Sequence, residues 1–122
     1  MMATQRKRQS LSKTADELFG KVVRAPGVCY RCGTEFGLQC AHGFSRSYRA
    51  TRWDLRNGFC LCRGCHVYFT HRPIEWDNWL QVEWGDDLYA EMRALALSGV
   101  RPDHKAIIAD LRERLRLMEA AA

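Results

Sequence analysis

No apolar run in this 122-residue chain approaches the ~20 residues needed to span a bilayer, so no membrane helix is expected. The basic start MMATQRKRQSLSK has no apolar stretch behind it, so a secretory leader is not expected either. Proline is scarce, with three residues, no internal repeat is present, and the Ala-rich C-terminal end reads as a helix tail and not as a low-complexity domain. Hydrophobic residues at 47% and charged ones at 27% exclude a largely disordered chain and leave room for one compact domain or a small domain with a helical appendage. Six cysteines without an export signal point to reduced thiols and metal in preference to disulfides. Acidic side chains are sparse where those cysteines lie: residues 1–72 carry 13 basic and 4 acidic groups. Residues 73–122 reverse the balance with 6 basic and 10 acidic, so a basic Cys/His-rich segment suited to a polyanion precedes a mildly acidic one.

The pattern reads as α+β with three parts: a basic, mobile arm over 1–13, a metal-stapled core over 14–72, and a helical extension over 73–122 packed on that core. Thr14 and Glu17 have capping-box spacing ahead of Leu18, Val22 and Val23, predicting a helix over 14–24 that Pro26-Gly27 ends. The glycines and paired cysteines between Val28 and Phe69 suit a hairpin held by metal. A short helix from Arg63 must stop before Pro73, because the residue preceding proline is pushed out of the helical region. Pro73 suits the first turn of a helix carrying Ile74, Trp76, Trp79, Leu80 and Trp84 and closing at Gly85. Asp86 is placed to cap a helix over Leu88–Leu97. Asp103 is placed to cap a last one with Ile107, Ile108, Leu111, Leu115 and Met118 on one face.

Cys29-x-x-Cys32 and Cys62-x-x-Cys65 each offer two thiolates from a tight turn, and four thiolates complete the tetrahedral shell of structural zinc. Thioredoxin-type redox chemistry needs one CxxC beside a βαβ pattern that is missing here. Cys40 and Cys60 read as small buried residues on the two hairpin strands, with a contribution of Cys40 to a second metal site as the alternative.

The segments Leu38-Gln-Cys-Ala-His42 and Asn57-Gly-Phe-Cys-Leu-Cys-Arg-Gly-Cys-His66, with Thr51-Arg-Trp-Asp-Leu-Arg leading into Asn57, carry a resemblance. Over residues 29–72 the chain resembles the HNH (ββα-metal, or His-Me finger) endonucleases, in particular the zinc-ribbon form of small phage and prophage proteins. The resemblance implies a β-hairpin and helix around one catalytic Mg²⁺ or Mn²⁺, with His42 as the general base that activates water. It implies Asn57 as the residue that orients the base loop or binds the metal, and His66 as a metal ligand. Ala41 stands where many members carry an Asp or His ligand, and Thr70 where a further ligand often falls. His71 reaches the same ion as His66 only through a distorted helix, since an offset of five residues is about 140° around a regular helix axis.

Arg46, Arg49, Arg52 and Arg56 are interleaved with Phe44, Tyr48 and Trp53 and form a candidate DNA-binding loop, with pairing to the acidic half as the bland alternative. The three tryptophans of 76–84 read as core aromatics that pack the later helices on the hairpin. The resulting expectation is a metal-dependent endonuclease that nicks double-stranded DNA in a bacterial or phage-infected cytoplasm. A homodimer or phage packaging machinery are the further partners compatible with it. The rival is a non-catalytic zinc-ribbon module that binds DNA or protein.

Overall fold

The protein, described over residues 2–122 by a computed structural model, is α+β: four helices and one two-stranded antiparallel sheet. In chain order these are α1 (Met2–Arg24), β1 (Leu38–His42), a 3-10 turn (Leu55–Asn57), β2 (Gly58–Cys62), α2 (Arg63–Thr70), α3 (Pro73–Leu97) and α4 (His104–Ala121). Among the described residues, no helix is long and apolar enough to cross a membrane.

The sheet separates two cores because strand side chains alternate between faces. In β1 and β2, Cys40 and Cys60 are cross-strand partners and join Ala15, Phe19 and Val22 of α1 and Ile108 and Leu111 of α4. Their neighbours Ala41, Phe59 and Leu61 point the other way, to Cys65 and Phe69 of α2 and Leu80 of α3. Both extra cysteines thus occupy the packed hairpin positions expected of them. Burial pushes the Cys40 thiol up to about 11, so it packs as a neutral group, and it faces away from α2.

Helix α1 departs from expectation. It begins at Met2, so the arm expected over 1–13 is helical from residue 2 onward, while Met1 lies outside the described residues. Residues 3–9 are mostly good helix formers, and Leu11 packs against the first core, extending the apolar stripe of Ala15, Phe19 and Val22 toward the N-terminus. The capping box is consequently not used: the Thr14 hydroxyl donates to the Ser10 carbonyl one turn earlier, at 3.1 Å.

The downstream helices follow their local signals. Pro73 opens α3. Gly85, at φ 77° and ψ 163°, breaks it into the two pieces read from the sequence. The Asp103 carboxylate accepts from the Ala106 N–H at 3.2 Å and caps α4. Aromatic packing fastens α3 to the sheet: Phe59 lies 5.1 Å from Trp79 and 5.8 Å from Trp76, ring centre to ring centre.

Gly58 pairs with His42 across the sheet, and this position needs glycine for space, not for backbone freedom. A Cβ there would lie 2.5 Å from Val23 Cγ2 and 2.9 Å from Phe19 Cζ, so α1 can seat on the sheet only over a bare backbone. Gly58→Ala is therefore expected to lower unfolding free energy by about 1–3 kcal/mol. The denaturant midpoint should fall accordingly, and an unchanged midpoint would show that α1 does not press on β2.

Candidate metal centre and the adjoining histidine cavity

The sulfurs of Cys29, Cys32, Cys62 and Cys65 all lie within 4.8 Å of one another. The Cys32 and Cys62 sulfurs are 3.7 Å apart, close to the edge of about 3.8 Å that a tetrahedron with ~2.3 Å zinc–sulfur bonds requires. Each CxxC turn points a backbone N–H back at its own first sulfur: Cys32 N to Cys29 Sγ at 3.5 Å and Cys65 N to Cys62 Sγ at 3.4 Å. Gly33, at φ 80°, lets the chain reverse after the first pair. Burial raises the Cys29 thiol, but backbone hydrogen bonds from the Cys62, Cys32 and Arg31 positions outweigh it and bring the group down to about 6. Burial pushes the Cys65 thiol the other way, up to about 12, and an ion shared by the four sulfurs would hold both as thiolates. The donor set, spacing and N–H···S pattern fit a structural ion such as zinc, held by all four cysteines.

Among the described residues, these cysteines are the one group of three or more Cys, His, Asp or Glu side chains close enough to share an ion. The remaining candidate residues surround a smaller feature, a cavity of about 100 Å³ lined by Ala41, His42, Leu61, His66, Phe69, Thr70 and Trp76. His42 ends β1, with its ring stacked on Phe19 of α1 at 5.1 Å. Its Nε2 is buried and has no hydrogen-bond partner. Burial lowers its pKa from the ordinary 6.5, a backbone hydrogen bond at Arg52 pushes it back up, and the Arg46 charge lowers it again, for a net decrease.

His66 enters the cavity from the first turn of α2. Its Nδ1 sits 2.8 Å from Gln39 Oε1, an arrangement in which Nδ1 carries the proton and Nε2 the lone pair. Because consecutive helical residues point about 100° apart, Cys65 can face the thiol cluster while His66 faces the cavity.

Asn57 is fully buried and bonds to the chain just past His42. Its Oδ1 accepts from Phe44 N at 2.7 Å, its Nδ2 donates to Phe44 O at 3.0 Å, and its own carbonyl accepts from Gly43 N at 2.7 Å. Gly43 O in turn accepts from the Trp76 indole at 2.7 Å. A Cβ on Gly43 would approach Asn57 Oδ1 to 2.8 Å and the Trp84 ring to 2.9 Å, so the clamp closes only on glycine.

His71 does not join this group. Its N–H still bonds to the Val67 carbonyl, so the helix stays regular to its end, and His71 is exposed and does not line the cavity that Thr70 lines. The basic loop also divides. Arg52 grips Asp16 of α1 with two bonds, at 3.1 and 2.6 Å. Arg56 pairs with Asp54 and with Glu91 in the acidic half. Arg46 reaches only to 3.8 Å of Asp16 and stays 62% exposed, and Arg49 is exposed with no ion pair among the described residues. Three of the four arginines thus have intramolecular partners, Arg46 the loosest of them.

Gln39, Phe19, Gly43 and Trp76 complete the surroundings of the two histidines, and no sequence motif singled them out for this role. The alternation of β1 put Gln39 on the α2 side, but which helical residue it would meet depended on the strand-to-helix junction.

Comparison with known proteins returns no match: no family model, no curated protein and no solved structure matches the chain. The thiolate centre and the cavity are therefore interpreted from their own geometry.

The chain purified without chelator is expected to carry one zinc per molecule, measured by atomic emission. Cys65→Ser should lose that zinc and lower the melting midpoint by more than ~10 °C, since structural zinc supplies folding free energy directly. A zinc-free wild-type chain that melts at the same temperature as the zinc-loaded one would contradict the assignment.

Proposed function

We propose that the protein is a metal-dependent endonuclease of the HNH type, hydrolysing phosphodiesters and nicking one strand of duplex DNA per active site. The observations that carry this reading are the shared lining of one cavity by His42 and His66 and the unpartnered, buried Nε2 of His42. A buried polar atom left without a bond costs on the order of 1–3 kcal/mol, which a structural histidine would recover by pairing. A general base needs that lone pair free.

The assignment of roles follows the chemistry of each side chain. His42 Nε2 takes a proton from water, the water oxygen forms its bond to phosphorus, and the bond from phosphorus to the 3′-oxygen breaks. The departing oxygen leaves as a 3′-hydroxyl after protonation, and the other end keeps the 5′-phosphate. Phe19 and the backbone at Arg52 hold the imidazole, while Asn57 and Trp76 hold the two residues after it. His66 presents Nε2 as a metal ligand, with Gln39 fixing its tautomer as the outer partner of a ligating histidine commonly does. A bound Mg²⁺ or Mn²⁺ would stabilise charge on the scissile phosphate and the leaving oxygen. The cavity lining offers that ion no carboxylate, so water and substrate oxygens must fill most of its shell, which a hard cation accepts.

The same sparse ligand set favours the binding-only alternative, in which the zinc-stapled core docks on DNA or protein without cutting. Supercoiled plasmid separates the two. With Mn²⁺ or Mg²⁺, wild type is expected to yield relaxed circles, and His42→Ala to reduce the rate at least 100-fold with zinc content unchanged. Intact supercoils under every divalent ion would leave only the binding module.

The lowered pKa of His42 sets the pH dependence. Its neutral, base-competent form persists below the ordinary midpoint of 6.5, so the acid limb of the nicking rate should fall at a pH under 6.5. The same shift makes folding stability decline as pH drops from 6.5 through the folded-state value, because the unfolded chain takes up the proton first. A limb centred above 6.5 would point to a different base.

A further inference from the structure

A groove of about 750 Å³ lies between α1, the loop that follows β1 and the segment leading into α4. Its lining holds five Lys or Arg side chains and a single carboxylate, Asp16. That carboxylate is already engaged: it accepts both bonds from Arg52 and one from the Trp53 indole at 2.9 Å, and Arg46 lies 3.8 Å away. Arg8 and Lys13 from α1, Arg49 from the loop and Arg101 from the α3–α4 connection remain. All four are exposed, and none has an ion pair among the described residues.

Three separate stretches of chain thus converge their cations on one concave surface, where like charges repel unless an anion sits between them. Gln5, Arg8, Gln9, Ser12 and Asp16 recur at helical spacing, so one face of α1 forms a wall about 16 Å long, the axial rise of four to five phosphates on one strand. The floor is closed to stacking. Trp53 is 5% exposed, with the Arg52 guanidinium 4.9 Å and the His104 ring centre 5.0 Å from its ring centre. Single-strand binders display open aromatic faces, and none is offered here. The wall also leads toward the catalytic candidate: Asp16 is one helical turn from Phe19, on which His42 stacks.

We infer that this groove seats the phosphate backbone of duplex DNA flanking the cut, with Arg8, Lys13, Arg49 and Arg101 as its phosphate contacts. The flanking role rests on the endonuclease reading, but the binding can be measured without catalysis. The contacts carry no base information, so their contribution is salt-dependent and independent of sequence.

The test is fluorescence anisotropy of a labelled duplex with the zinc-loaded full chain, without Mg²⁺ or Mn²⁺, across a salt series. Arg49→Gln with Arg101→Gln, and separately Arg8→Gln with Lys13→Gln, should each weaken binding about tenfold and flatten the slope of log affinity against log salt by about 2. Arg112→Gln, on α4 outside the groove lining, should change neither. Unchanged slopes in both groove variants would overturn the inference, as would an equal loss in the control. Tighter binding of single strand than of duplex, or displacement of duplex by free nucleoside triphosphate at lower phosphate concentration than by unlabelled duplex, would also overturn it. A chain that shows the groove effects but never nicks removes the endonuclease reading alone, and one that nicks with unaffected groove variants removes the groove alone.

Discussion

The constraint on which the rest of the structure depends is the closure of four thiolates between the turn at Cys29–Cys32 and the junction of β2 with α2. An isolated two-stranded sheet is marginal in water, and this one has only five residues in each strand. Cys62 ends β2 and Cys65 lies in the first turn of α2, so the same cluster that anchors the sheet also sets the direction in which α2 leaves it. Apparent binding free energies of about 10–16 kcal/mol for structural zinc are as large as the whole stability of a typical domain. An ion held there would thus be part of the core.

The histidine cavity follows from that junction. With α2 fixed, His66 is brought across from Gln39 and beside the end of β1. What holds His42, the other histidine of the cavity lining, comes from elsewhere in the chain. The two glycines at its shoulders, Gly43 and Gly58, admit Trp84 and Phe19 where a methyl group would collide. Buried Asn57 spends its side chain and its carbonyl on the residues that follow. The arrangement fixes the backbone on both sides of the imidazole while leaving Nε2 without a bond.

Local signals in the sequence carried much of this. The two CxxC turns, the proline at the head of α3, the break at Gly85 and the Asp103 cap are decided within a few residues, and each was legible. The start of α1 was not, because residues 2–13 lack a strong apolar period of their own and owe their helix to propensity and to packing of Leu11 against the first core. The basic loop misled in part for the opposite reason. Its arginines are equivalent as sequence, and only the fold decides that Arg52 meets an aspartate 36 residues earlier and Arg56 a glutamate 35 residues later. His71 failed as a partner for His66 because α2 runs regularly to its end, a property of the fold around Pro73 that residue spacing alone does not settle.

The most direct measurement of the central claim is X-ray absorption at the zinc edge of the purified chain. The account predicts a single shell of four sulfurs at about 2.3 Å and no light-atom scatterer at bonding distance. A shell containing nitrogen or oxygen, or protein whose cysteines are paired as disulfides with no zinc signal, would contradict it and detach α2 and His66 from the frame proposed to hold them.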